Sequence, residues 1–394
     1  MKKVSFLLLV ISIFLTSCSG VKKAQNALHS GNYDQSINIA LEKLKGSKNK
    51  KSNQEYIIIL EEAFLKAVER DEKRLKTLQL DGNPAYSKEI FDIYNYLDRR
   101  QEKIRPLLPL WIAARGKNAS FQFRDYVAES QDAKNRLTTY LYSNAITLLA
   151  TNVKENARQA HRDLSELNRI NPNYRNVSQL LDEAHFKGTD FVFVKLINDS
   201  HVAVPRRLEE DLLNFNSYDL GNFWTVYHTT LDKNIKYDID MLIRFVDIKV
   251  SPEQLKERIV IKEKEVKDGF VYVYDSKGNV KKDSLGNDIK KDKYKTVRSE
   301  ILEIKQFKAA NVTAKVDFFD RNTNQLINSF PITSEFIFEH HFATFKGDRR
   351  ALEPPYLDWI NLKFVPFPSS EQMIYDTGED LKQKIKAVIK RQKY

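Results

Sequence analysis

The spacing of the apolar residues changes near Gly188, and this change limits the chain to two differently built parts. Before Gly188 the apolar residues recur at helical intervals. After it they form short apolar runs such as Asp190–Ile197 and alternating segments that are typical of strands. The sequence therefore predicts an all-α domain over residues 18–187, followed by an α+β domain with a mainly antiparallel sheet over residues 188–394.

The composition supports a folded chain of this size. The 394 residues are long enough for two or three domains, and 42% of them are hydrophobic, including 23 Phe and 18 Tyr. Disordered chains have few aromatic residues and low hydrophobicity, so this class is excluded. The single cysteine excludes a disulfide framework and every metal site that needs several cysteines.

The N-terminus has the features of a secretion signal. Lys2 and Lys3 are followed by Phe6–Leu15, a mainly apolar run of ten residues, which is too short to span a bilayer because a spanning helix needs about 20. The run ends in Leu15-Thr16-Ser17-Cys18, which resembles the lipobox of bacterial lipoproteins. The alternative is an ordinary signal peptide with an incidental cysteine.

The lipobox resemblance implies an address for the chain. It implies that a signal peptide of residues 1–17 is removed and that fatty acyl chains such as palmitate are attached at Cys18. Two or three acyl chains suffice for stable anchoring in a membrane. Ser19, rather than an aspartate, follows the cysteine, which favours the outer membrane, and Lys22 and Lys23 favour its periplasmic face.

The predicted location in the cell envelope changes which partners the formal charge of +11 favours. Loss of Lys2 and Lys3 with the signal leaves 62 basic and 53 acidic residues, a net charge of +9. A basic chain in the cytoplasm would suggest nucleic acid, but the address excludes that partner. The expected partners are the membrane, through Cys18, and envelope proteins of unknown identity.

The first helical segment resembles a tetratricopeptide repeat. The resemblance rests on small and apolar residues at the repeat's spacing: Ala24, Ala27, Leu28, Gly31, Tyr33, Ile37, Ala40 and Leu44. It implies two antiparallel helices with Gly31 and Tyr33 at their turn. Ser36 and Lys43 stand where the family usually has Ala, and a second, weaker match covers residues 157–174. A generic helical bundle remains the alternative, because about three units are needed to share a core.

Two segments of the second half resemble strands of the periplasmic domain of curli-secretion-type lipoproteins. These segments are Tyr237–Asp247 and Val312–Ile327, with Asn324 where that family usually has Gly in a hairpin turn. Further strands are predicted at 223–227, 269–274, 295–304, 309–319 and 325–338. A last amphipathic helix is predicted over Glu379–Lys393, with Thr377 and Asp380 as its capping box. This helix either docks on the sheet or lies on anionic lipid.

No familiar catalytic or metal-binding motif occurs in the sequence. His340 and His341 are adjacent, so on a strand they would point to opposite faces and could not share one metal. Asp317 and Asp320 are more typical of a hairpin end than of a catalytic pair. Asp283-Ser284-Leu285 resembles a periplasmic O-glycosylation acceptor, although turn chemistry also explains it. We therefore expect no cofactor, no metal and no enzymatic activity.

These expectations converge on a non-enzymatic scaffold in envelope assembly or secretion, because helical-repeat surfaces bind extended peptides or partner proteins. Two alternatives remain open. The chain could be an enzyme that acts on envelope glycan or lipid through an unrecognised site, or a structural lipoprotein without dedicated partners.

Replacing Cys18 by Ala tests the address. Because both cleavage and acylation require the sulfur, we expect an unprocessed precursor that takes up no fatty-acid analogue during metabolic labelling. Continued labelling of the Cys18→Ala variant would contradict the lipoprotein prediction.

Overall fold

The structure is a computed structural model that describes residues 20–392. The predicted signal peptide and Cys18 lie outside these residues. The chain divides into two compact units, with the division between Gly188 and Thr189. The first unit is helical and the second is rich in strands with a mostly antiparallel sheet, which confirms the predicted α+β organisation at this level.

The helical unit consists mainly of antiparallel helices joined by short turns. These helices are α1 (residues 20–29), α2 (Tyr33–Ser47), α3 (Gln54–Asp81), α4 (Ser87–Ile104), α5 (Val127–Ala150), α6 (Lys154–Ile170) and α7 (Val177–Gly188). In the turn that follows α1, Gly31 has a φ of +78°. Asn32 caps α2 by accepting a hydrogen bond from the Gln35 backbone N–H.

One segment of the helical unit is not helical. Between α4 and α5 the chain forms a two-residue strand pair, β1 (Trp111–Ile112) and β2 (Lys117–Asn118). The prediction of an entirely α-helical first domain was wrong here. Ile112 is fully buried in the core formed with α2 and α3, so this segment covers the ends of those helices.

The second unit is built on one six-stranded sheet. Its strands are β3 (Asp190–Asn198), β4 (Thr225–His228), β5 (Ile239–Val250), β6 (Gln254–Tyr272), β7 (Lys290–Asp320) and β8 (Leu326–Gly347). The order is β4-β3-β5-β7-β6, with β8 on the other edge of β7; β3 is parallel to both β4 and β5 and the remaining pairs are antiparallel.

The 31-residue strand β7 holds the sheet together. One of its edges pairs with β6 and then with β5, and the other pairs with β8 over most of its length. The sequence predicted two strands here, at 295–304 and 309–319, but the backbone continues through Lys308 without a break. Most of β6 was also missed, because its alternating Lys and Glu residues have low β propensity.

Helices cover one face of the sheet. They are α8 (Arg206–Leu213), α10 (Ser370–Asp376) and α11 (Gly378–Arg391), while the short α9 (Tyr356–Trp359) packs elsewhere, near Ile301. The predicted docking of the last helix is confirmed, since Leu381, Ile385 and Ile389 are buried in this core. No helix among residues 20–392 has the length and apolar composition that a membrane crossing requires.

The predicted capping box of the last helix was wrong. Thr377 is itself in a helical conformation, and its hydroxyl donates to the carbonyl oxygen of Ile374 at 2.7 Å instead of capping α11. The two helices α10 and α11 therefore meet at Thr377, which is fully buried.

The turn at Gly31 gives a stability prediction. A Cβ added to Gly31 would meet no heavy atom within 4 Å, so the cost of a substitution is a backbone cost. Gly31→Val should lower the free energy of unfolding by about 1–2 kcal/mol, and Gly31→Asn by less, because Asn tolerates the left-handed region. Denaturant titration followed by circular dichroism at helical wavelengths measures both; equal losses would contradict a left-handed turn.

Candidate functional site

A large groove lies in the helical unit. It encloses about 1040 Å³ and lies between α2, α3 and α4. Its lining combines charged, aliphatic and aromatic side chains, which are Asp34, Ile37, Asn38, Arg70, Asp71, Arg74, Ala85, Tyr86, Lys88, Glu89, Asp92, Ile93, Tyr96, Arg99, Arg100 and Lys103. A groove of this size is large enough for several residues of an extended peptide or for a small molecule.

Helical spacing places these side chains on facing surfaces. Residues 34, 37 and 38 of α2 and residues 96, 99, 100 and 103 of α4 follow the i, i+3, i+4 pattern, and on α3 residue 74 lies three and four positions after residues 71 and 70. Each helix therefore presents one polar stripe to the groove.

A buried arginine joins the three helices. Arg100 donates to the Asp34 carboxylate from Nε at 2.6 Å and from Nη2 at 3.1 Å, and its Nη1 lies 2.6 Å from Oδ2 of Asp71. Its side chain is only 6% exposed, so water cannot replace these contacts. Arg70 adds hydrogen bonds to both carboxylates, at 2.8 Å to Asp71 and 3.2 Å to Asp34. The four groups form a closed, formally neutral cluster.

The arginines keep Asp34 ionised. Burial alone would raise its pKa, but the hydrogen bonds and charges of Arg100 and Arg70 outweigh burial and hold the pKa below the ordinary value of 3.8. The guanidinium of Arg70 also lies 5.5 Å from the ring centre of Tyr33. Tyr33, which the sequence predicted at the repeat turn, therefore lies beside Arg70, one of the two arginines of the cluster.

The remaining charges form a rim that is only partly paired. Arg74 binds Glu89 through two hydrogen bonds, at 2.6 and 3.0 Å, and Lys88 binds Asp92 at 3.0 Å. Lys103 donates to the neutral side chain of Asn38, and within the described part of the chain Arg99 has no carboxylate partner. Arg99 and Lys103 thus leave two positive charges available at one end of the groove.

The structure separates the other candidate residues that the sequence singled out. His340 lies 2.9 Å from the Lys363 carbonyl oxygen, whereas His341 stacks on Trp359 at 4.5 Å, so they point to opposite faces, as predicted. Asp317 accepts a hydrogen bond from Ser329, and Asp320 accepts from the backbone of its own turn. The two carboxylates have separate structural partners and do not act as a pair.

Two further segments that the sequence singled out lie in turns. Asp283 accepts hydrogen bonds from the backbone N–H groups of Leu285 and Asn287, both at 2.9 Å. Ser284 follows Asp283 in this turn, which lies at the tip of the β6–β7 hairpin. Asn324 adopts a φ of +57°, which confirms the hairpin expected there.

The buried cluster was missed by sequence reasoning. Helical spacing could have singled out Arg100, because it follows Ile93 and Leu97 at i, i+4, i+7 on the buried side of α4, whereas Arg99 lies off that side. The spacing could not identify its partner, since Arg100 and Asp34 are 66 residues apart. Within residues 20–392 no three His, Cys, Asp or Glu side chains are arranged to hold a metal ion. No protein-family model matches the chain, and no curated protein is significantly similar to it.

Removal of the buried arginine should be costly. Arg100→Met leaves Asp71 buried with one cation fewer, and we expect a loss of about 3 kcal/mol in the free energy of unfolding, within the range for breaking a buried ion pair. The exposed neighbour provides a matched control, since Arg99→Met should change stability by less than about 0.5 kcal/mol. Denaturant titration of both variants measures the difference; a neutral Arg100→Met would contradict the role of the cluster.

Acid should weaken the cluster through Asp34. Because its pKa is lowered in the folded chain, Asp34 contributes stability above its unfolded pKa near 3.8 and loses it as the pH falls through the lower folded value. The Asp34→Asn variant should therefore lose less stability between about pH 4 and pH 2 than the unmodified chain. Glu42→Gln, an exposed change on the same helix, is the control; unchanged acid sensitivity in Asp34→Asn would refute the assignment.

Proposed function

We propose that the chain is an outer-membrane-anchored periplasmic lipoprotein that acts as a non-enzymatic scaffold, and that it holds an extended segment of a partner protein in the groove between α2, α3 and α4. The observation that carries this proposal is the combination of an open groove with a formally neutral floor around Arg100 and unpaired positive charge at one end. The lipid anchor rests on the sequence alone, through the lipobox at Cys18.

The packing of α1 on α2 supports a tetratricopeptide-like hairpin. Ala24 and Ala40 are fully buried, which allows the close helix approach that the repeat uses. Ser36, which stands where the family usually has Ala, is also fully buried, and its hydroxyl donates to the Ala24 carbonyl oxygen at 2.9 Å. The departure from the family pattern is thus accommodated by a hydrogen bond between the two helices.

The lining favours a peptide with acidic residues. Tyr96 is 53% exposed in the groove and offers a ring for apolar contact, while Arg99 and Lys103 attract carboxylates at the same side of α4. The groove carboxylates Asp34 and Asp71 are engaged by arginines. Such engagement favours binding over acid–base chemistry, which needs a carboxyl group that is free to exchange a proton with a substrate.

A photo-crosslinking amino acid tests the groove as a binding site. Placed at Tyr96 in the full chain in cells, it should give a discrete adduct with a protein partner. The same group at Ile146, an exposed position on α5 outside the groove, should give none. Equal adducts at both positions, or none at either, would contradict the proposal.

Charge reversal tests the acidic character of the bound segment. Arg99→Glu combined with Lys103→Glu should abolish the adduct formed from Tyr96, because it places like charges against the carboxylates of the partner. Lys76→Glu, an exposed reversal on α3 outside the groove, should leave the adduct unchanged. Loss of the adduct in the Lys76 variant as well would show a non-specific charge effect and would argue against a defined site.

A further inference from the structure

The hairpin formed by β6 and the first part of β7 exposes a row of apolar side chains. We call this hairpin, residues 254–272 paired with residues 290–307, the ribbon. Six apolar residues on one side of it are 37–63% exposed, and we call their common surface the apolar face: Leu255, Ile259, Ile261, Phe270, Tyr272 and Tyr294. Val271, which is 46% exposed, lies on the other side. The six form two groups, one near the sheet (Leu255, Ile259 and Ile261) and one near the tip (Phe270, Tyr272 and Tyr294), and polar or charged residues of the same side lie between them: Glu263, Glu265, Lys267, Thr296 and Arg298. Single exposed apolar residues are ordinary, but two such groups on one surface mark an interaction surface.

The register places all six on one side of the ribbon. Residues directly opposite each other in an antiparallel pair share a face, and Ile259 pairs with Leu302 while Phe270 pairs with Asp292. A register shift between Lys267 and Phe270, with Gly269 at a φ of +87°, adds one residue to β6. Without that bulge the aromatic residues would point to the opposite side, because the side-chain period of a strand is two.

Charge differs between the two ends of the apolar face. Glu257 and Glu300 lie near Ile259 and Ile261, and among the described residues neither has an ion-pair partner. Lys290 lies at the other end, 4.3 Å from the ring centre of Phe270, also without a carboxylate partner in the described residues. Other charges on this side pair within the ribbon, Lys267 with Asp292 and Arg298 with Glu263. The unpaired charge is therefore acidic toward the sheet and basic toward the tip.

We infer that the apolar face is the interface of a two-fold symmetric dimer in which two ribbons stack face to face and antiparallel. Antiparallel stacking brings the basic tip of each copy over the acidic end of the other, so Lys290 meets Glu257 across the interface. Near the two-fold axis Arg298 of one copy comes close to Glu265 of the other. A symmetric interface must be self-complementary, and this distribution of charge meets that requirement.

The size of the face agrees with this occupant. A ribbon of 19 residues at about 3.3 Å per residue is about 60 Å long, and two strands are about 10 Å wide, which gives about 600 Å² per copy and about 1,200 Å² in total. This value reaches the lower end of stable protein interfaces. An anionic membrane surface fits less well, because Glu257 and Glu300 would be repelled from it.

Cysteine cross-linking in cell envelopes tests the geometry, with the full chain carrying two different epitope tags in two co-expressed copies. Cys18 is the chain's own cysteine and is blocked if it is acylated, so engineered cysteines report alone. With a short bis-maleimide, Thr296→Cys near the axis should cross-link to itself. Ile259→Cys should cross-link to Phe270→Cys in the other copy, and neither should cross-link to itself. Lys293→Cys, on the opposite face of the ribbon, should give no dimer.

A charge swap separates a contact across the interface from a local effect. Lys290→Glu should reduce the Thr296→Cys dimer, and adding Glu257→Lys should restore it. Absence of the Thr296→Cys dimer, self-linking of Ile259→Cys, or adducts only with lipid or a different protein would each overturn the dimer. The groove variants Arg99→Glu and Lys103→Glu should leave these cross-links unchanged, so the result is independent of the proposed scaffold function.

Discussion

Backbone pairing along β7 is the constraint on which the second unit depends. This one strand carries the buried side chains Val312, Val316 and Phe318 of the core, and farther along it forms half of the exposed ribbon. A residue that pairs with β7 has its side chain on the same face of the sheet as the β7 residue opposite it. One continuous register along β7 therefore sets both the core and the apolar face. A one-residue slip would move both sets of apolar residues to the wrong side, so the bulge at Gly269 is part of the same design.

The helical unit depends on a different interaction, the burial of Arg100 between two carboxylates. A buried ion pair adds little net stability over apolar packing, but the loss of one partner leaves an uncompensated charge. The three helices are thereby held in one relative arrangement, with Asp34 on α2, Asp71 on α3 and Arg100 on α4. This arrangement keeps the groove open, because the charged side chains must stay beside their partners. The helices therefore cannot move closer together to form apolar contacts.

The two proposed surfaces use opposite physical strategies. The groove combines a charge-paired floor with a few free charges, a combination that suits an extended and partly acidic segment. The apolar face has a group of apolar residues at each end and charged residues between them, which suits a second copy placed antiparallel, because each apolar group then meets the other. A lipid-anchored scaffold with both would bind a partner through one unit and its own copy through the other.

Local chemistry allowed the sequence by itself to determine the change from helices to strands near Gly188, the left-handed turn at Asn324 and the opposite directions of His340 and His341. Each of these follows from the intrinsic preferences of neighbouring residues. The sequence could not show that β7 is a single strand, because pairing with β5, β6 and β8 overrides the weak propensity around Lys308. Helical spacing places Arg100 on the buried side of α4 and Arg99 off it, but the sequence could not identify Asp34 and Asp71 as the partners, since they reach Arg100 only through the packing of three helices. Tertiary structure decided these features because the interactions behind them join residues that are distant in the chain.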